Sequence, residues 1–301
     1  MQNKKLIVVV GPTAVGKTAV SIKLAQHFKT EIISADSRQI FRELTIGTAK
    51  PNEEELAAVK HHFINSHSIT ERYDAAQYGR DALELIHQLF EKYDYLILCG
   101  GSGLYVKAIL EGFDNIPEIA EEIREELNQH YEKEGIAWLQ EKMRALDPEH
   151  FETIDQQNPH RLIRALEVKI GTGLSISTFR KKAKLQHSFS IVKIGLELPR
   201  EVLNKRIDDR MDQMIRDGLF DEAKNVFSYK DQQALQTVGY QEIFDFMEGR
   251  YDRDEAIRLL KRNSRRYAKR QITWFKRDDE IVWMNPFDVE GIIESLSRIA
   301  K

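Results

Sequence analysis

Near its start the chain reads Gly11-Pro12-Thr13-Ala14-Val15-Gly16-Lys17-Thr18, which fits the G-x-x-x-x-G-K-[ST] pattern of a phosphate-binding loop. No other stretch constrains the fold as tightly. The pattern needs a strand before it and a helix after it. Leu6 to Val10 is a short β-branched run suited to a buried parallel strand. Lys17 to Phe28 sets Val20, Leu24, Ala25 and Phe28 on one side of a helix. Gly11 and Gly16 let the backbone curl without Cβ clashes, so successive N–H groups and the helix N-terminus face an anion. Lys17 adds a point charge, and the Thr18 hydroxyl can reach a phosphate-bound Mg²⁺. Such a turn binds a di- or triphosphate. It does not say which compound, or what is done to it.

The rest of the chain supplies an α/β frame for that turn. Glu31 to Ala35, Tyr95 to Leu98, Ser190 to Leu198 and Glu280 to Met284 read as further strands, and Phe63-Ile64 as the start of another. Between them Glu53–Lys60, Asp74–Phe90 and Gly103–Leu110 have helical spacing. From Glu118 to about Ser188 the pattern is helical throughout, with Pro159 at the permitted first turn of a helix. Helices then run over Glu201–Asp217, from Leu219, from Thr237 to Gly249, over Asp252–Lys276 and over Ile292–Ala300. The expected fold is a P-loop-containing parallel sheet flanked by helices, with an all-helical insertion domain. Residues 1–116 and 190–301 form the core and 117–189 the insertion.

Two strand ends are chemically suggestive. After the second strand stands Asp36-Ser37-Arg38-Gln39, at the carboxyl edge where open α/β sheets bind ligands. Asp36 there suits a base, a Mg²⁺ partner or a helix N-cap. The third strand ends in Cys99 and then Gly100-Gly101-Ser102-Gly103-Leu104-Tyr105. A P-loop hydrolase often places a metal-holding acid there, so ordinary ATPase or GTPase chemistry loses a ligand. Cys99 closes an apolar strand and reads as a buried structural thiol. His61 and His62 are adjacent, so their side chains diverge and share no metal. Within the insertion, Arg161 and Arg164 lie at i, i+3 beside His160, a spacing that also suits a salt-bridged solvent face.

The net charge of −3 argues against nucleic acid only on average. Arg258 to Arg277 carries nine Lys or Arg and no Asp or Glu, a local footprint for an anionic partner. The single cysteine fits a reducing compartment. No apolar stretch is long enough for a signal peptide or a membrane span, so a cytoplasmic protein is expected. Together these features suggest a transferase with a phosphorylated donor and a nucleic-acid acceptor. A small-molecule P-loop kinase is the alternative, and it leaves the basic helix without a task.

Several motifs occur in a fixed order: the P-loop, Asp36-Ser37-Arg38-Gln39, Ile46-Gly47-Thr48-Ala49-Lys50-Pro51, Gly100 to Tyr105, Asn158-Pro159-His160-Arg161, Val238-Gly239-Tyr240 and Lys269-Arg270-Gln271-Ile272-Thr273-Trp274. The series resembles the bacterial tRNA dimethylallyltransferases, or tRNA isopentenyltransferases, over nearly the whole chain. The lack of a zinc finger after it is similar to the bacterial form. The resemblance implies transfer of a dimethylallyl group from dimethylallyl diphosphate to N6 of adenosine 37 in the tRNA anticodon loop. By that likeness residues Gly11 to Thr18 hold the diphosphate with Mg²⁺ at Thr18, Asp36 is the general base, and Arg210 rather than Arg206 matches the diphosphate arginine. Ser37, Arg38, Gln39 and Ser102 line the acceptor side. His160, Arg161, Arg164, Lys269 and Arg270 grip the anticodon stem-loop. A monomer is expected.

Overall fold

The structure, a computed structural model, describes residues 4–114, 116–179 and 185–299. The chain divides into two compact units: Met1–Gly112 with Gln186–Lys301, and Phe113–Leu185.

In the first unit six strands form one sheet: β1 Lys5–Val10, β2 Ile32–Ser34, β3 His61–His62, β4 Tyr95–Gly100, β5 Ser190–Leu196 and β6 Val282–Met284. Their order is β3-β2-β4-β1-β5-β6, and every neighbouring pair is parallel. β1 is central, with Leu6 to Val10 all buried. Leu6, Val8 and Val10 enter the core on one face of the sheet, and Ile7 and Val9 the core on the other. Burial on both faces explains why the strand is a continuous apolar run rather than an alternating one. Val10 pairs with Gly100 and with Gly195, and Ser34 with Cys99. The strands therefore end together, and the loops that follow β1, β2 and β4 meet at one carboxyl edge.

Helices of this unit before the second unit are α1 Lys17–Phe28, α2 Glu53–Ala58, α3 Ala75–Leu89 and α4 Gly103–Leu110. The second unit is α5 Glu121–Glu134, α6 Ile136–Leu146, α7 Pro148–Phe151, α8 Pro159–Thr172 and α9 Ile176–Phe179. It has its own core, in which Leu127, Leu139, Met143, Phe151, Leu162 and Leu166 are buried together. The first unit then adds α10 Arg200–Arg216, α11 Leu219–Asn225, α12 Gln241–Met247, α13 Arg253–Phe275 and α14 Val289–Ile299. Among the described residues no helix is long and apolar enough to cross a membrane.

The strand expected at Phe63-Ile64 lies instead at His61–His62. Phe63 and Asn65 take φ of 60° and 54°, a left-handed turn that no strand can contain. The Phe63 ring packs edge-on to Tyr78. His62 Nε2 bonds Glu31 Oε2 at 2.5 Å and His61 Nδ1 bonds the Val59 carbonyl at 2.8 Å, so the two rings serve separate structural contacts. The helix expected from Thr237 begins only at Gln241, because Gly239 sits at φ 107°. The expected end of the last helix, Ala300, lies outside the described residues, as do residues 180–184 of the expected insertion.

Candidate active site

At the carboxyl edge of the sheet a cleft of about 450 Å³ opens between the P-loop, the Asp36 segment, α10 and α13. The P-loop curls as its glycines allow: Gly11 is at φ 148°, Ala14 at 63° and Gly16 at 110°. A Cβ on Gly11 would stand 2.7 Å from the Leu196 carbonyl oxygen, so only glycine fits there. Gly16 caps α1 without a side-chain hydrogen bond, which leaves the first-turn N–H groups for a ligand. Lys17 Nζ donates to the Gly11 and Pro12 carbonyls at 3.1 and 2.8 Å. Burial pulls its pKa down to about 8, against the opposing pull of Cys99 and Asp36. Thr18, half-buried, lines the cleft one residue on. Cys99 also lines it, but burial pushes its thiol up, which withholds the thiolate a nucleophile needs.

Asp36 Oδ1 accepts from the Arg38 and Gln39 N–H groups at 2.9 and 3.3 Å. These bonds close a turn over residues 37–40 rather than cap a helix, and they occupy one oxygen only. Oδ2 has no hydrogen bond among the described residues. The Asp36 charge is felt by Lys17, Arg38 and Arg210, so one carboxylate sits among three cations. The Ser102 hydroxyl accepts from Ser37 N–H at 2.9 Å and donates to Ser37 Oγ at 3.1 Å, tying the β2 and β4 ends together. Gln39 Nε2 donates to the Thr48 and Ala49 carbonyls at 3.2 and 3.0 Å.

The two arginines of α10 are used differently. Arg206 Nε donates to the Ala14 carbonyl at 2.8 Å, and its guanidinium lies over the Phe287 ring. Arg210 is half-buried in the cleft wall beside Asp36, and its desolvation lowers its pKa. It makes no hydrogen bond among the described residues. A guanidinium so placed, without a protein hydrogen bond, is set for an anion. Sequence reasoning assigned no task to Gln271 of α13. Its Oε1 accepts from Thr13 N–H at 2.8 Å and its Nε2 donates to the Gly101 carbonyl at 2.9 Å, so it braces the P-loop against the β4 end. Its signal was a polar residue on the buried side of a basic helix, between Ala268 and Phe275.

The basic helix is partly neutralised. Lys261 pairs with Asp212 at 2.6 Å, Arg265 with Asp208 and Arg258 with Glu255. Arg266, Lys269 and Arg270 are exposed and form no ion pair among the described residues. His160, Arg161 and Arg164 belong to the second unit, on α8, whose Asn158 side chain accepts from Arg161 N–H. His160 is exposed; Arg161 reaches Asp155 only at 4.0 Å. Arg164 donates to Glu167 at 3.0 Å, and Arg124 stands 3.8 Å from the same carboxylate. Glu167 is 2% exposed, so Arg164 balances a buried charge.

A model of the IPP transferase family matches residues 39–278. The tRNA dimethylallyltransferase of Cytophaga hutchinsonii is 51% identical over 290 residues, covering 96% of this chain and 95% of that protein. That of Christiangramia forsetii is 51% identical over 278 residues, 92% of each. The full-length tRNA isopentenylpyrophosphate transferase of Bacillus halodurans superposes with a TM-score of 0.73 at 37% identity, covering 99% of this chain and 97% of that one. A eukaryotic dimethylallyltransferase acting on tRNA shares the fold, with a TM-score of 0.77 at 24% identity over 95% of this chain and 75% of that one. With a family model matched over most of its length and relatives half identical from end to end, the chain belongs to the IPP transferase family.

Proposed function

We propose that the cleft takes dimethylallyl diphosphate through the P-loop and that the dimethylallyl group passes to the exocyclic N6 of adenosine 37 in a tRNA anticodon loop. The observation that carries this reading is Asp36, with one carboxylate oxygen uncommitted, between Lys17 and the half-buried Arg210. Beside it β4 runs out in Cys99 and Gly100 where a hydrolase keeps an acid. A hydrolase must aim water at a γ-phosphate; a displacement at carbon needs the phosphates only as leaving group.

In the step, the N6–carbon bond forms as the bond from the allylic carbon to diphosphate oxygen breaks, and Asp36 Oδ2 takes the N6 proton. An adenine amino group is a poor nucleophile, so positioning counts as much as basicity. Lys17, Arg210 and the P-loop N–H groups stabilise charge on the departing diphosphate. Thr18 offers the cleft one hydroxyl, and the described residues hold no cluster of three His, Cys, Asp or Glu. A lone hydroxyl fits Mg²⁺, which keeps most of its water; Thr18 would hold the ion, and it would neutralise charge on the diphosphate. The target base leaves the loop stack to enter the cleft, beside Ser37, Arg38, Gln39 and Ser102. The exposed Lys269 and Arg270 of α13, and His160, Arg161 and Arg164 of the 113–185 unit, take the anticodon stem-loop by its phosphates. The protein acts as a monomer, in the cytoplasm, with its tRNA.

The test is to incubate the protein with unmodified tRNA, Mg²⁺ and either dimethylallyl diphosphate or ATP. The reading predicts a tRNA mass gain of one five-carbon unit with the first alone. Phosphate transfer from ATP to any product overturns it.

A further inference from the structure

The segment Ile46 to Pro51 and the Val238-Gly239-Tyr240 motif have so far no task. Both meet at Glu222, in the first turn of α11. Glu222 Oε2 accepts from the N–H groups of Thr45 and Ile46, each at 2.8 Å, and Oε1 accepts from Gly47 N–H at 2.8 Å. Oε1 also accepts from the Tyr240 hydroxyl at 2.7 Å. Four donors converge on one carboxylate, three of them consecutive backbone amides. Gly47 lies so close to the Tyr240 ring that a Cβ there would stand 2.6 Å from the hydroxyl oxygen. Gly239, at φ 107°, delivers that ring, and its N–H is held by Glu242 Oε2 at 2.8 Å.

The far side of the loop faces the reaction. Gly47, Thr48 and Ala49 line the cleft. The Thr48 and Ala49 carbonyls receive the Gln39 amide, and Gln39 N–H in turn holds Asp36 Oδ1 at 3.3 Å. Lys50 Nζ closes the loop on the Phe41 carbonyl and Asn65. Contact is therefore continuous from Glu222 through the loop and Gln39 to Asp36.

We infer that Glu222 is a positioning residue for the acceptor nucleotide: it latches loop 45–49 as one wall of the cleft and through Gln39 fixes where Asp36 points. The latch is built on the acceptor side and makes no hydrogen bond to the P-loop among the described residues. A glutamine at 222 keeps the shape but leaves one oxygen for four donors and turns an N–H₂ toward the rest. The inference rests on the proposed reading of the cleft.

Three variants test it: Glu222→Gln, Glu222→Ala and Tyr240→Phe. Transfer is measured with each substrate varied in turn, alongside hydrogen exchange of the Thr45, Ile46 and Gly47 amides and the melting temperature. Glu222→Gln is expected to lower kcat/KM for tRNA on the order of 100-fold, as misplacement of reacting groups does. KM for dimethylallyl diphosphate stays unchanged and the three amides lose protection. Tyr240→Phe keeps the three amide bonds and loses less. Unchanged exchange at 45–47 in Glu222→Gln overturns the latch. Faster exchange with unaltered tRNA kinetics, or equal losses for both substrates with a lowered melting temperature, overturns the positioning role and leaves a structural one. Wild-type protein that modifies no tRNA overturns the parent reading instead, and the exchange result still decides the latch.

Discussion

The two ends of the cleft are built on different terms. At the P-loop end the backbone N–H groups, Lys17 and Thr18 are set within eight residues of chain by positive φ at Gly11, Ala14 and Gly16, with Arg206, Arg210 and Gln271 added from α10 and α13. At the Asp36 end the segment to Gln39 is held from three separate stretches: Ser102 on Ser37, the Thr48–Ala49 carbonyls on Gln39, and Glu222, 177 residues from Thr45, behind them. The P-loop itself is a local conformation that brings charge with it. The other end is a geometry assembled from several elements. Substitutions at the first should act on the leaving group, and those at the second on where the base sits and loses its proton.

The sharpest break in that comparison is at Asp36, which reaches both ends. Asp36→Asn keeps the shape and the side-chain bonds of the turn but not the general base; kcat should fall about 10³-fold, within the range for a positioned general base, while the tRNA dissociation constant holds. A parallel loss of tRNA affinity would make Asp36 a recognition residue and merge the two ends. Next in size is Arg210→Gln, expected to cost on the order of 100-fold in kcat/KM for the diphosphate, as lost preorganised charge does. Arg206→Gln should cost less, because Arg206 already spends its Nε on Ala14. Equal effects would erase the division of labour within α10.

Lys17 gives a pH dependence at the donor end alone. In the free protein burial holds its pKa at about 8. A bound diphosphate favours the ammonium and raises that value. Between the two, binding takes up a proton, so donor affinity falls as pH rises above about 8, by at most about tenfold per pH unit. Below that pH Lys17 is charged in both states and contributes no slope. Calorimetry across the range should show the fall in wild type and its absence in Lys17→Met. The smallest effect belongs to the exposed basic surface. Lys269→Ala and Arg270→Ala should each reduce the slope of log tRNA affinity against log salt by about one. Lys261→Ala, whose charge is already paired with Asp212, should leave the slope alone.

The same contrast decides how much was legible in the sequence. The strand–turn–helix around Gly11 to Thr18 was readable because every requirement falls inside one stretch: two glycines, a lysine, a hydroxyl and an apolar run before them. The Asp36 segment could be placed at a strand end, but not the partners that hold it. Glu222 lies 175 residues from Gly47, and nothing in its local pattern marks it as an acceptor for that loop. Arg164 lies between these cases. Its spacing to Glu167 is visible in the sequence; that Glu167 is buried, which turns an optional pair into a needed one, depends on how α8 packs in its own unit. β3 was misplaced by two residues because a two-residue edge strand has no periodicity, and the left-handed turn at Phe63 has no glycine to announce it.

The central claim is that this P-loop holds a prenyl diphosphate as leaving group. Diphosphate release, counted against modified adenosine in one reaction with tRNA and dimethylallyl diphosphate, tests it most directly. One diphosphate should appear for each dimethylallyl group found on tRNA, with Asp36→Asn slowing both together by about 10³-fold. Orthophosphate released from ATP in place of that stoichiometry would contradict it.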